Sequence, residues 1–264
     1  MNIVVCVKQV LDTAARIRIA DGRVDAQGIP RIMNPYDEYA AEEALLIREK
    51  NPGATISLIT VGPENFRDTL KTGLAMGADK AVHLMDPAFE GLDNLGVARV
   101  LAKAIRTLPF DLVLCGRQAV DDDMAQVGPA LAALLGIPFV ATVTKLILGP
   151  PDGSGKCQAT VTRQIEGGSE TLETSLPLLL TCQKGLNVPR LPSLKGIMAA
   201  KKKEVTVLDA QAVGFDPETM GAGANRVKQT GLSLPPARKK GRILEGPQAA
   251  LQLARILREE EKLI

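Results

Sequence analysis

The sequence has one histidine, no tryptophan and only 3% aromatic residues. A lone His83 leaves no second imidazole for a zinc site or a proton relay. Its place inside a strand-like run reads as an ordinary packed or surface side chain. So few aromatic rings offer few platforms for stacking bases, which argues against a single-strand nucleic-acid binder. The four cysteines, Cys6, Cys115, Cys157 and Cys182, form no CxxC pair. Their spacing suits buried reduced thiols better than a zinc site or a disulfide framework. A net charge of +2 creates no general field toward DNA or anionic lipid. No apolar run approaches the length of a membrane span. Met1–Lys8 has no basic n-region or small-residue cleavage site, so the expected address is the cytoplasm, without membrane insertion. Catalytic signatures are missing as well: there is no GxSxG, P-loop, HExxH or GxGxxG. Gly221-Ala222-Gly223 lacks the third glycine and the strand–helix frame that the last of these needs.

What the chain does contain is aliphatic. At 45% hydrophobic content, its core must be built from Val, Leu, Ile and Ala, as expected for helices on a parallel sheet. Ile3–Val7 reads as a buried strand and Tyr36–Lys50 as a helix stopped by Asn51-Pro52-Gly53. Strands over Thr55–Val61, Ala81–Leu84 and Asp111–Cys115 alternate with helices over Glu64–Met76, Leu95–Leu108 and Ala125–Leu135. Gly77 stands as a C-cap. This alternation predicts an α/β fold, a doubly wound and mostly parallel Rossmann-like sheet of the adenine-nucleotide-binding kind. Ligands of such sheets bind beyond the carboxyl ends of the strands, here the loops after Val7, Val61 and Cys115. After Pro138 the texture changes. Phe139–Leu148 and Gln158–Ile165 read as a hairpin around Gly149–Gly155, and Glu170–Cys182 continues as strand with Pro177 at an edge or bulge. From Gly185 the chain becomes irregular, with one more strand at Glu204–Leu208 and a last helix at Pro247–Lys262. The expected division is a nucleotide-binding domain over 1–190 and an arm over 191–264 that lies on the main domain or a partner.

Three polar groups stand out. Asp121-Asp122-Asp123 precedes a helix and reads either as its capping acids or as part of a nucleotide loop, Gly116–Val127. In the second reading Gly116 permits close approach, Gln118 and Gln126 supply hydrogen bonds, and amides at the helix start face a phosphate. A metal site has no nearby residues to complete it. Asn34-Pro35-Tyr36-Asp37 opens the first helix, as a cap or as ligand contacts. Lys201–Lys203 is a solvated face or a partner-facing patch.

Several segments together resemble the beta subunit of the electron transfer flavoprotein family along nearly the whole chain. These are Cys6-Val7-Lys8-Gln9-Val10, Met33-Asn34-Pro35-Tyr36-Asp37 with Ala40 and Glu43, Leu74-Ala75-Met76-Gly77-Ala78-Asp79, and Gly116-Arg117-Gln118-Ala119-Val120-Asp121-Asp122-Asp123. The most specific is Val161-Thr162-Arg163-Gln164-Ile165-Glu166-Gly167-Gly168-Ser169-Glu170-Thr171-Leu172 with Pro177–Thr181 behind it. Pro189-Arg190-Leu191-Pro192-Ser193-Leu194 resembles the family's recognition loop.

The resemblance implies an electron carrier rather than a catalyst with its own substrate turnover, which fits the missing acid, base and nucleophile. It implies a partner alpha subunit holding FAD at the subunit interface, with Thr13 of the Val10–Arg16 segment near the flavin. It also implies a second nucleotide at Cys6, Asn34–Asp37, Val61 and Gly116–Val127, a set that includes Met124 and Ala125. Leu194 corresponds to the apolar anchor inserted into a dehydrogenase. The family's partners are acyl-CoA dehydrogenases, as in fatty acid beta-oxidation, and quinone oxidoreductases. The second nucleotide is AMP in one branch and a second FAD in the electron-bifurcating branch. Cys6–Val10, Asn34–Asp37 and Ala125-Gln126-Val127-Gly128-Pro129 resemble the bifurcating branch, but Asp122 and Met124 replace the Gly and Thr usual there, so AMP is the expectation, with a second FAD as the alternative. A stand-alone adenine-nucleotide sensor of the universal-stress type shares the sheet but has no use for Val161–Thr181.

Overall fold

The computed structural model describes the chain except for residues 152, 154–156 and 237–240. In chain order the first half runs β1 (Asn2–Cys6), β2 (Gln9–Leu11), β3 (Arg18–Ala20), β4 (Arg23–Asp25), β5 (Arg31–Met33), α1 (Pro35–Lys50), β6 (Thr55–Val61), α2 (Arg67–Met76), β7 (Lys80–Leu84), α3 (Asn94–Ile105), β8 (Leu112–Gly116) and α4 (Val127–Leu135). The second half adds β9 (Phe139–Pro151), β10 (Cys157–Ile165), β11 (Gly168–Ser175), β12 (Leu178–Cys182), α5 (Leu194–Ala200), β13 (Val205–Leu208), α6 (Pro217–Met220) and α7 (Ala249–Arg255).

Among the described residues, nine strands form one sheet in the order β11-β10-β9-β12-β8-β1-β6-β7-β13. The seven from β9 to β13 run parallel, and β10 and β11 extend the edge as antiparallel strands. The chain passes from β1 outward through β6 to β7 and then returns to β8 on the other side of β1. The winding direction therefore reverses between β1 and β8, which opens a crevice at their carboxyl ends.

The sheet is held by aliphatic burial on both faces, as its unbroken apolar strands require. Ile3, Val5, Leu58, Leu112, Leu114 and Leu180 pack with α1 and α2 on one face. Val4, Ile59, Val113, Leu179 and the apolar side of α3 and α4 fill the other. Each fully buried Leu or Ile stabilises the fold by about 1.5–3 kcal/mol relative to exposure. Helix α1 starts with Pro35 in its first turn, and its alanines, Ala40, Ala41 and Ala44, are buried against the sheet.

Several expectations need correction. The stretch between β1 and α1, where no element was expected, carries two antiparallel pairs, β2 with β5 and β3 with β4. Glu170–Cys182 is not one strand. Pro177, which has no N–H to give a ladder, separates the edge strand β11 from β12, and β12 lies inside the parallel sheet between β9 and β8. Asp111–Cys115 and Ala125–Leu135 shift slightly, to Leu112–Gly116 and Val127–Leu135. Leu194 opens a short helix, α5, rather than lying on a loop, because Ser193 caps it through Gly196 N at 3.0 Å. Of the expected turn at Gly149–Gly155, residues 149–151 still belong to β9, and residues 152, 154 and 155 lie outside the described residues.

Two compact units emerge. One comprises Met1–Ile17 and Ala26–Thr230; the other comprises Arg18–Asp25 and Gly231–Ile264, including the β3–β4 hairpin and α7. No helix of the described residues is long and apolar enough to cross a membrane.

Candidate functional site

The crevice at the ends of β1 and β8 is a cleft of about 770 Å³, counted with the solvent at its mouth. A buried carboxylate organises it. Asp37, in the first turn of α1, accepts hydrogen bonds from Lys8 N at 2.7 Å, Gly116 N at 3.1 Å and Asn34 Nδ2 at 2.9 Å. One side chain thus ties together the exits of β1 and β8 and the start of α1. Burial pushes the Asp37 carboxyl up to about 7, against the lowering effect of those three donors and of the Lys8 charge. Gly116 is required here for space: a Cβ on it would overlap Asp37 Oδ1.

Asn34 has a second task. Its Nδ2 donates to Gln118 O at 2.8 Å and its Oδ1 accepts from Val120 N at 3.1 Å. It therefore clamps the 116–126 loop as if it were a neighbouring strand. Lys8 closes the loop from the other side, its Nζ lying 2.7 Å from Asp121 Oδ1 and 3.5 Å from Asp122 Oδ2. Asp123 and Ala125 both have φ of +53°, a left-handed conformation that costs non-glycine residues about 1–2 kcal/mol each. Such strain persists where surrounding contacts over-determine a loop, commonly at functional sites. Here Asp123 N donates to Ala119 O at 2.9 Å and Gln118 Nε2 donates to Asp123 Oδ1.

Of the residues singled out in the sequence, Cys6, Asn34, Asp37, Val61, Gly116, Arg117, Gln118, Ala119, Asp122, Ala125, Gln126 and Val127 line this cleft. Pro35, Tyr36, Val120, Asp121, Asp123 and Met124 support it or flank it without lining it. The three acids do not cap the helix behind them. α4 begins at Val127 with Gln126 at its N-cap and no side-chain cap bond, while Asp121 turns to Lys8 and Asp122 to Met124 N. Thr13 and Leu194 stand apart from the cleft, both exposed.

Sequence reasoning missed part of the wall. Lys8, Thr60, Gly128 and, from α3, Asn94, Val97 and Leu101 also line the cleft. The signal was present at Lys8, which directly follows the first strand, but nothing in the α3 pattern separates cleft-facing from core-facing apolar residues. Thr60 is 1% exposed and its Oγ1 has no hydrogen-bond partner among the described residues. Its register neighbour His83 on β7 is fully buried, with Nε2 2.9 Å from Gly62 O and Nδ1 unpartnered. On the cleft floor, burial and a hydrogen bond with Cys6 hold the Cys115 thiol well above its ordinary value, the hydrogen bond being the larger cause. A shift in that direction keeps the Cys115 thiol protonated, the less nucleophilic form. No group of three or more acidic, His or Cys residues among those described is arranged to hold a metal.

The arrangement can hold a ligand but contains no general acid–base pair aimed at one. Its walls combine an apolar side of Ile59, Val61, Val97 and Leu101, backbone amides at the start of α4, and a cation, Arg117, with no ion pair among the described residues. The class defined by fold and crevice is a doubly wound α/β protein with an open cleft at its topological switch point.

Comparison with known proteins narrows this. The electron transfer flavoprotein domain model matches residues 21–213. A Bacillus subtilis "Electron transfer flavoprotein subunit beta" is 40% identical over the full length of both chains. A protein of the same description from Thermoanaerobacterium thermosaccharolyticum is 43% identical, covering 93% of each chain. The "Caffeyl-CoA reductase-Etf complex subunit CarD" of Acetobacterium woodii is 40% identical over 93% of this chain and 92% of its own. The chain belongs to the electron transfer flavoprotein family, among its beta subunits and FixA proteins. Its role is electron transfer in a flavoprotein system.

Proposed function

We propose that this chain is the beta subunit of a heterodimeric electron transfer flavoprotein that works in the cytoplasm. Its alpha subunit holds FAD at the interface, and the beta subunit binds AMP in its own cleft. Residues 1–190 form the nucleotide-binding part, and residues 191–264 are the docking segment and arm that meet partners. Electrons pass from dehydrogenases, acyl-CoA dehydrogenases among them, to an acceptor such as a quinone oxidoreductase. The observation that carries the reading is the cleft built around Asp37, Gly116 and Asn34 at the switch point of a chain with full-length likeness to beta subunits.

The residues present fit a nucleotide. Thr60 Oγ1 is buried and has no partner among the described residues at the cleft, and Gly116 makes room for the Asp37 carboxylate that joins the segments of the cleft. Ile59, Val61, Val97 and Leu101 would face a base, while Arg117 and the amides of Gln126, Val127 and Gly128 would face phosphate. Asp121 and Asp122 at the mouth favour one phosphate over two, since a diphosphate would meet their charge. Bound flavin supplies the reversible acceptance of electrons; this chain positions it and screens it from solvent on one side. Thr13, exposed at the tip of the Val10–Arg16 segment, is suited to that contact.

The test is co-expression with the neighbouring alpha-type subunit, purification and chromatography of the released nucleotides. One FAD and one AMP per heterodimer supports the proposal. Two FAD would place the protein in the electron-bifurcating branch, a second reading favoured by Arg117, a cation in the cleft with no ion pair among the described residues. A flavin-free homodimer of this chain with adenine nucleotide would make it a stand-alone sensor.

A further inference from the structure

The segment from the end of β12 through α5 presents apolar side chains to solvent: Leu191 is 89% exposed and Leu194 77%, with Val188 and Met198 also more than half exposed. At seven residues, α5 is far too short to be ordered by its own hydrogen bonds. Its order must come from fasteners to the body. Asn187 Nδ2 donates to Tyr39 O at 3.0 Å and Glu43 Oε2 at 2.9 Å. Gly196 lies so close to α2 that a Cβ would overlap Ala75 O. Lys203 Nζ donates to the carbonyls of Leu74 and Ala78 at the end of α2.

Arg190 is the fastener beside the exposed ridge. Its backbone N donates to Glu42 Oε2 at 3.1 Å, its Nε to the same carboxylate at 2.8 Å, and its Nη2 to Glu42 Oε1 at 2.8 Å. Nη1 reaches Glu49 Oε1 at 2.8 Å. The Glu42 side chain is only 4% exposed, and Arg190 is its sole ion-pair partner among the described residues. A planar fork on a buried carboxylate fixes direction as well as distance, which an ammonium cannot do.

We propose that Arg190 is a positioning residue for partner docking: its fork on Glu42 holds the Leu191–Leu194 ridge in the shape that enters an apolar, acid-rimmed pocket on the electron-donating dehydrogenase. The inference rests on the reading of this chain as a carrier that docks through Leu194. An anchor held in place before contact loses little conformational freedom on binding, so pre-ordering translates into affinity. The acidic rim follows from Lys195, Lys201 and Lys202, exposed at the start of α5 and just past its end, which carry no ion pair among the described residues.

The experiment uses the heterodimer with its alpha subunit, comparing Arg190→Lys, Arg190→Gln, the double variant Arg190→Gln/Glu42→Gln, and Leu194→Ala as the docking control. Three quantities are measured: amide exchange over 191–200, KM and kcat for flavin reduction by a bacterial butyryl-CoA dehydrogenase with butyryl-CoA, and the flavin midpoint potential. Arg190→Lys and Arg190→Gln are expected to speed exchange over 191–200 and raise KM by about tenfold, with kcat and potential unchanged. The double variant, whose amides can pair without leaving a buried charge, is expected to recover most of the KM. If Leu194→Ala raises KM while both Arg190 variants stay within about twofold of the parent, docking stands and positioning by Arg190 falls. If Leu194→Ala has no effect, docking at this face falls and the inference with it. A changed potential or loss of the alpha subunit in Arg190→Lys would mean a general structural role and would equally overturn it.

Discussion

Gly116 and Asp37 occupy each other's space: the Asp37 carboxylate accepts the Gly116 amide at 3.1 Å and lies where a Gly116 side chain would have to go. Three segments meet at that contact, because the same carboxylate receives Lys8 N and the side chain of Asn34, which in turn holds the 116–126 loop. Replacing Gly116 by Ala is therefore expected to displace Asp37 rather than merely crowd it. The loss should be about 1–3 kcal/mol of stability, the usual cost of overpacking a tight site. Calorimetry and the nucleotide content of the purified heterodimer would check both consequences.

Asp37 should also leave a mark on the pH dependence of stability. Burial raises its folded-state pKa from 3.8 to about 7, so between those values the folded protein binds this proton more tightly than the unfolded chain. The contribution is full below pH 3.8 and is lost as pH rises toward 7, with a slope of at most about 1.4 kcal/mol per pH unit. Denaturant titrations from pH 4 to pH 8 are expected to show this fall, and Asp37→Asn should abolish that component. The variant should also be less stable overall, since its amide NH2 would face donors that now meet an oxygen.

The Arg190–Glu42 pair invites a measurement of stability apart from any partner. Arg190→Ala leaves the Glu42 carboxylate buried and unpaired, which costs about 3–5 kcal/mol for fully buried pairs. Arg190 is itself about a third exposed, so solvent reduces this, and about 2 kcal/mol is the expected loss. Adding Glu42→Gln should restore most of it, because the cost comes from the stranded charge. Equal stability in the single and double variants would contradict this account.

Thr60 offers a way to separate folding from binding. Its hydroxyl is buried and unpartnered, so Thr60→Val removes an unsatisfied polar atom at nearly constant shape. The thermal midpoint of the ligand-free chain is expected to stay level or rise slightly, by up to about 1 kcal/mol equivalent. If a bound nucleotide uses that hydroxyl, the same variant should retain less nucleotide through purification. Unchanged retention would remove Thr60 from the binding set.

Much of the fold was legible because its strands are apolar runs bounded by Gly, Pro and Asn, and its helices are regular. Thr55–Val61 falls on its expected bounds, and His83 sits packed inside its strand. The misses have physical causes. Gln9–Leu11 and Arg31–Met33 are too short to show a period, and each is a strand only because the other lies beside it. Glu170–Cys182 reads as one run because alternation along the chain carries no information about which neighbour a strand has. The α5 helix is seven residues, and beyond its Ser193 cap its order comes from contacts with α1 and α2.

The sequence by itself determined the α/β class, the family, and the three chain segments that would gather at one end of the sheet. Those follow from local patterning and residue chemistry, which act over a few neighbouring positions. Only the tertiary structure decided that Asp121 answers Lys8 rather than capping α4, that Asp37 must share space with Gly116, and that Glu42 needs Arg190, 148 positions away. These are decisions of burial and pairing: a carboxylate takes its partner from whatever the fold brings within about 3 Å, and no spacing in the chain encodes that distance.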